Sequence, residues 1–184
     1  MIRATFDAFA GIRLLVTHDP VEAMTLADRL VVLEGGAVTQ LGTPDELRSA
    51  PRTPYVADLV GVNLFAGRLE PLADGAGRVI TLQGSVVVPW PADHDRTAVD
   101  GVLAVLRPAD VAVHVERPEG SARNVLHGTI ADIAIDGERA RVRLLTSPPV
   151  VAEITRGSVV RMGIRPGDDT WVSFKAVEVE LVLP

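Results

Sequence analysis

The chain contains no cysteine. Disulfide staples and thiolate metal sites are therefore excluded, and the fold must rest on its apolar core. Aromatic residues make up only 4% of a sequence that is 47% hydrophobic. That core must be built from Val, Leu, Ile and Ala. No apolar run approaches the roughly 20 residues that a membrane-spanning helix needs, so direct membrane insertion is not expected. Basic residues do not dominate: 18 Lys and Arg stand against 24 Asp and Glu, a net charge of −6. Nucleic-acid binding is not expected either, because phosphate backbones require clustered cations. The first residues carry an acid and no long apolar stretch, so they do not read as a signal peptide, and a cytoplasmic protein is expected.

What is present falls into two textures across the 184 residues. Residues 1–60 alternate strand-like runs with capped helices. Residues 14–17 form a short apolar run suited to a buried strand. Asp19, Pro20 and Glu22 then supply a helix cap, a proline at the first helical position and an acid in the first turn. Residues 29–33 read as a second strand, with Gly35 and Gly36 turning into residues 37–41. Thr43-Pro44-Asp45-Glu46 and Thr53-Pro54 repeat the helix-start grammar. After Gly61, short apolar runs are separated by Gly, Pro and Asp, the pattern of a small barrel or sandwich. Asp136-Gly137 marks a two-residue hairpin turn. Residues 139–144 alternate arginine with apolar side chains, one face wet and one buried. Residues 155–162 suit a short helix closed by Gly163. Along residues 171–183 the apolar phase shifts, which implies a bulge or a change of sheet.

His18 stands at the end of the first apolar run, where open α/β sheets hold their ligands at the carboxyl ends of strands. The order Leu-Leu-Val-Thr-His-Asp-Pro, then Asp28-Arg29 before the next apolar run, then Gly42-Thr43-Pro44-Asp45-Glu46-Leu47, resembles the switch-histidine segment and C-terminal end of ABC-transporter ATPases. The resemblance implies that His18 contacts a nucleotide γ-phosphate and helps hold the attacking water, as the catalytic residue. Asp19 reads only as the helix cap. Phosphoryl transfer also needs a phosphate cradle and a Mg²⁺ carboxylate. The chain has no G-x-x-x-x-G-K-[ST] loop, no apolar strand ending in Asp-Glu before His18 and no Ser-Gly-Gly-Gln signature. ATP and Mg²⁺ are thus implied only for a full-length subunit, and this chain alone is not expected to hydrolyse ATP. Some apolar surface on residues 14–33 is expected to lack its cover.

Residues 121–184 carry a second set of motifs. Ser121-Ala122-Arg123-Asn124 opens a strand. Ala152-Glu153-Ile154-Thr155 follows, with Ser158 three positions on. Ile164-Arg165-Pro166-Gly167-Asp168 and Phe174-Lys175-Ala176 complete the set. In order and spacing it resembles the molybdate-binding Mop or TOBE domain, a small OB-like barrel attached to importer ATPases. Residues 63–117 more loosely resemble the first portion of such a region, with Leu106-Arg107-Pro108-Ala109-Asp110-Val111 as the recurring piece. A tetrahedral dianion wants a charged fork, a point charge and hydroxyl donors. Motif matching carries an oxyanion-binding role to Ser121, Arg123, Asn124, Thr155, Ser158, Lys175 and, through its backbone, Ala176. Asn124 is also suited simply to holding a turn, and Thr155 to capping a helix. In the Mop family these elements come from different subunits and meet at an interface. His94, His114 and His127 show no metal-ligand spacing.

The expected fold class is therefore an α/β remnant of an ABC ATPase domain over residues 1–62, followed by an all-β OB-like (TOBE/Mop) barrel region over residues 63–184. The resemblance implies the C-terminal regulatory part of the ATP-binding subunit of a molybdate-type importer, working in dimerisation and oxyanion sensing. It implies molybdate or tungstate as ligand, a homodimer, ABC permease subunits as partners, and a peripheral place at the inner face of the cell membrane. Two alternatives stay open. One is a free-standing oxyanion-binding protein that buffers molybdate; the other is a TOBE domain from a sulfate, polyamine or sugar importer with no anion pocket.

Overall fold

The structure is a computed structural model that describes residues 11–184. It divides into two compact units, one ending at Val60 and one running from Gly61 to Pro184.

In the first unit, α1 spans Pro20–Leu26. Its cap is Asp19, whose carboxylate accepts from the Val21 and Glu22 amides at 2.8 and 3.3 Å. That satisfies amides which no helical carbonyl can reach. β1 (Leu30–Glu34) and β2 (Ala37–Gly42) form an antiparallel hairpin, and α2 (Pro44–Ser49) and α3 (Pro54–Val60) follow. α2 opens on a full capping box: Thr43 accepts from the Glu46 amide, and Glu46 accepts from the Thr43 amide. Leu30, Val32, Leu47 and Val56 form a small core, with Ala23, Met24 and Leu59 packed against it. Residues 14–17 do not become the expected buried strand. They form no regular element and pair with no strand among the described residues, and Leu14 and Val16 are 87% and 89% exposed. An apolar run becomes a buried strand only when neighbours satisfy its backbone and cover its faces. The outer face of the hairpin is also uncovered, with Val31, Leu33, Val38 and Leu41 exposed.

The second unit is built from two five-stranded antiparallel sheets. β3 (Asn63–Pro71), β4 (Gly77–Thr81), β5 (Gly84–Val88) and β6 (Val99–Leu106) belong to one. β8 (Asn124–Asp136), β9 (Arg139–Leu145), β10 (Val150–Thr155) and β11 (Asp169–Phe174) belong to the other. Two short strands change sides. β7 (Ala112–His114) pairs with β11, and β12 (Glu180–Val182) pairs with β6. The strand orders are β12-β6-β3-β4-β5 and β10-β9-β8-β11-β7. The same order, read in opposite directions, shows that the unit consists of two topological repeats, each lending its last strand to the other's sheet. The phase shift after Phe174 is this change of sheet. It is made through a 3₁₀ turn at Ala176–Glu178, matched after β6 by another at Pro108–Asp110.

Side-chain alternation explains the strands. Along β9, Ala140, Val142 and Leu144 are fully buried while Arg139, Arg141 and Arg143 are exposed, as the period of two requires. The β8–β9 hairpin turns on Gly137 and Glu138, one residue later than Asp136-Gly137 implies, because Asp136 still pairs with Arg139. Gly137 takes a left-handed φ of 57°, which suits a tight two-residue loop. Gly128 in β8 and Gly67 in β3 occupy matching places in the two repeats. A Cβ on either would run into the carbonyl of the neighbouring strand, at Leu145 and Ile80 respectively. The short helix after β10 is α4 (Arg156–Met162), capped by Thr155 and ended by Gly163 at a φ of 67°. A single hydrophobic cluster, including Phe65, Leu69, Leu106, Ile130, Leu144 and Phe174, runs through both sheets.

The two repeats are tied by a reciprocal pair of asparagines. Asn63 Nδ2 donates to the Val151 carbonyl at 2.9 Å, and its Oδ1 accepts from the Val151 amide at 2.7 Å. Asn124 makes the mirror-related pair with Val87, at 2.8 and 2.6 Å. Both side chains are buried, at 6% and 3% exposure. Each amide mimics a peptide group and extends one repeat's ladder onto the other's strand. Replacing Asn124 or Asn63 with alanine strands a buried amide and carbonyl, each worth about 1–3 kcal/mol. Urea titration of either variant should therefore show a loss of about 2–4 kcal/mol, of similar size at the two positions; a loss under about 0.5 kcal/mol would refute the tie.

Candidate functional site

β7, β11 and the connector between β7 and β8 surround a cavity of about 300 Å³. Its lining includes His114, Glu119, Ser121, Ser173 and Lys175. Each element delivers its side chain for a local reason. Ser173 and Lys175 share the face of β11 opposite the buried Phe174. Lys175 lies where β11 ends, and its backbone amide donates to Glu178 Oε2 at 2.8 Å, which holds the 3₁₀ turn. Ser121 sits on the connector just before β8. Of the side chains that the motifs single out, Ser121 and Lys175 thus meet at one cavity. Ala176 begins the 3₁₀ turn beside Lys175.

The remaining candidates are placed elsewhere. Arg123 reaches back to the first repeat and pairs with Asp74 through Nη2 at 2.6 Å, both side chains being partly exposed. Asn124 is wholly engaged by the Val87 backbone, so its amide works as the tie between repeats. Thr155 caps α4, accepting from the Ser158 amide at 3.1 Å, and the two hydroxyls lie 2.9 Å apart. Neither Thr155 nor Ser158 lines the cavity. His18, in the first unit, is exposed, and no described residue hydrogen-bonds to its ring.

Sequence reasoning passed over two cavity groups, His114 and Ser173. His114 Nε2 lies 2.9 Å from Ser173 Oγ, and Thr170 Oγ1 donates to the His114 carbonyl at 2.6 Å. A serine two residues before the lysine of the Phe-Lys-Ala motif was a usable signal, since alternation puts both on one strand face. His114 could not be found that way, because it arrives on a strand from the other repeat.

Charge around the site is mixed. Asp74 is held below its usual carboxylate range, first by the Ala76 amide and then by Arg123. In the first repeat, Arg107 occupies the place that Lys175 has in the second. Arg107 Nε donates to Asp110 at 2.8 Å, and this hydrogen bond raises its pKa. Two of the three arginines of β9 are engaged as well, Arg139 and Arg141 pairing with Glu153 at 3.4 and 3.6 Å. Among the lining side chains of the cavity, Lys175 faces one carboxylate, Glu119.

Residues 120–181 match the model of the TOBE domain. The chain is 35% identical over 174 residues to the molybdenum import ATP-binding protein ModC of Mycobacterium tuberculosis, covering 91% of this chain and 45% of that protein. It is 32% identical over 185 residues to the sulfate/thiosulfate import ATP-binding protein CysA of Bacillus cereus, covering 97% of this chain and 48% of the relative. It is 32% identical over 122 residues to the spermidine/putrescine import ATP-binding protein PotA of Trichormus variabilis, covering 65% and 32%. The chain thus spans about half the length, or less, of these curated relatives. A solved structure of the cytoplasmic molybdate-binding protein ModG, with molybdate bound, superposes with a TM-score of 0.54 at 22% identity, over 66% of this chain and 96% of that one. This likeness places the all-β part in the same fold. The resemblance to a TOBE domain in a ModC-like C-terminal portion is thereby borne out.

The Arg123–Asp74 pair generates a pH expectation. Asp74 has a lowered folded-state pKa, so its contribution is complete above the ordinary carboxylate value of 3.8 and is lost as pH falls through the lower folded value. Thermal melts of wild type and Asp74→Asn should differ by the same small amount at every pH from 5 to 8 and converge only under stronger acid. A difference that changes within that neutral window would contradict the assignment.

Proposed function

We propose, starting from the TOBE domain at residues 120–181, that this chain is the C-terminal regulatory part of the ATP-binding subunit of a molybdate-type importer, and that it senses the oxyanion. The cavity beside β11 carries the reading. It sets the ammonium of Lys175 and the hydroxyls of Ser121 and Ser173 around one volume. The ammonium is purely a donor and each hydroxyl can turn one proton toward a ligand, with Glu119 the one carboxylate in the lining, a set that suits a tetrahedral dianion. Tungstate has the same shape and charge and belongs to the same ligand class.

A homodimer completes the proposed site. Arg123, Thr155 and Ser158 are not among the residues lining the cavity of their own chain, so a second copy supplies what one copy keeps apart. An anion that binds one arrangement of the dimer better than another biases its equilibrium by that difference in affinity. In a full-length subunit the first unit belongs to the ATPase domain. His18 then contacts the γ-phosphate, ATP and Mg²⁺ are held by parts supplied elsewhere in the subunit, and the assembly works against permease subunits at the inner membrane face. Among the described residues no helix is long and apolar enough to cross a membrane.

Equilibrium titration calorimetry tests the reading. The purified chain should bind molybdate and tungstate and prefer both to sulfate. Lys175→Ala and Arg123→Ala should each weaken molybdate binding by about 10–100-fold, the worth of a charge-assisted hydrogen bond. Failure of the wild-type chain to bind molybdate at millimolar concentration would overturn the oxyanion reading and leave a TOBE domain without an anion pocket.

A further inference from the structure

His114 and Ser173 form a donor pair whose polarity the cavity decides. They sit on adjacent strands: Trp171 lies opposite His114, and Ser173 lies opposite Ala112, so the two are diagonal neighbours on one sheet face. The Nε2 to Oγ distance is 2.9 Å, and Ser173 is only 7% exposed. Both groups line the cavity with Ser121 and Lys175.

A hydroxyl has one proton to give. With Nε2 bare, the Ser173 proton goes to the ring, and only lone pairs face the cavity. With the proton on Nε2, the ring donates to Oγ, and the Ser173 proton turns toward the cavity. The first arrangement repels an anion beside Lys175; the second adds a donor for it. We propose that His114 is a positioning residue for anion recognition: its Nε2–H holds Ser173 Oγ as an acceptor, so that the Ser173 hydroxyl donates to an oxyanion seated between Lys175 and Ser121.

This rests on the oxyanion reading of the cavity and extends it to the exchanged strand. His114 reaches the site only because β7 leaves its own repeat. Glu119 is the opposing charge on the rim, so its neutralisation favours the same ligand.

The test is molybdate titration of the full chain at one fixed pH, with thermal melts of every variant. Ser173→Ala and His114→Ala should each weaken binding about tenfold or more, the worth of one hydrogen bond to a charged group. The double variant should be no weaker than Ser173→Ala, because the two act through one proton. His114→Gln keeps an N–H donor of similar reach and should restore affinity to within about threefold of wild type. Glu119→Gln should tighten binding. Wild-type affinity in Ser173→Ala overturns the proposal, as does a His114→Gln variant as weak as His114→Ala with an unchanged melting temperature. Weaker molybdate binding in Glu119→Gln overturns it too, since neutralising a carboxylate in the lining cannot weaken binding of an anion seated beside it. A wild-type chain that binds no molybdate removes the oxyanion reading itself, which separates that failure from failure of the histidine's role.

Discussion

Everything in the β unit depends on two repeats completing each other's sheets. β7 and β12 are each three residues long. Strands so short hold few ladder hydrogen bonds, and isolated short strands are marginal in water. They stay in place because each docks on the edge of a larger sheet, and because the 3₁₀ turns before them aim the chain across. Asn63 and Asn124 close the arrangement. Each spends a buried amide on the opposite repeat, a geometry that costs heavily if either partner moves. The shared hydrophobic cluster then has nowhere to divide. The cavity inherits its shape from this exchange, since two of its walls come from strands of different repeats.

Local grammar made many of the elements legible. Asp19 and Thr43 cap helices where the residue spacing says they should. Thr155 and Gly163 bound α4. The alternation of residues 139–144 is the burial pattern of β9. Residues 14–17 misled because an apolar run specifies a wish for cover, while cover itself is a tertiary fact. The partner of each exchanged strand was equally invisible. Phase along residues 171–183 announces a change of sheet, but no local signal says which sheet receives the strand. For the same reason Ser121 and Lys175 could be placed in one site by motif, whereas His114 could not.

Several arginines of the unit are already committed to carboxylates. Arg107, Arg123, Arg139 and Arg141 all have carboxylate partners within the chain. These pairs are largely exposed, where ion pairs contribute little to stability. Their effect is on availability: a guanidinium already facing a carboxylate must exchange one anion for another before it can grip a ligand. Among the described residues Lys175 has no such carboxylate within salt-bridge distance, and its backbone amide holds the local turn. That difference separates the cation poised at the cavity from those occupied elsewhere.

The connector of residues 115–123 has a second role, set by its ends. It leaves β7, which has already crossed to the second sheet, and delivers the chain to β8 of that same sheet. A chain carrying one repeat would have to collide with another molecule to trade strands. Here the tether fixes the effective concentration of one repeat around the other, so the trade is settled within a single polypeptide and does not depend on how much protein is present. Ser121 lies on that tether, so the segment that keeps the two repeats together is also the one that borders the cavity.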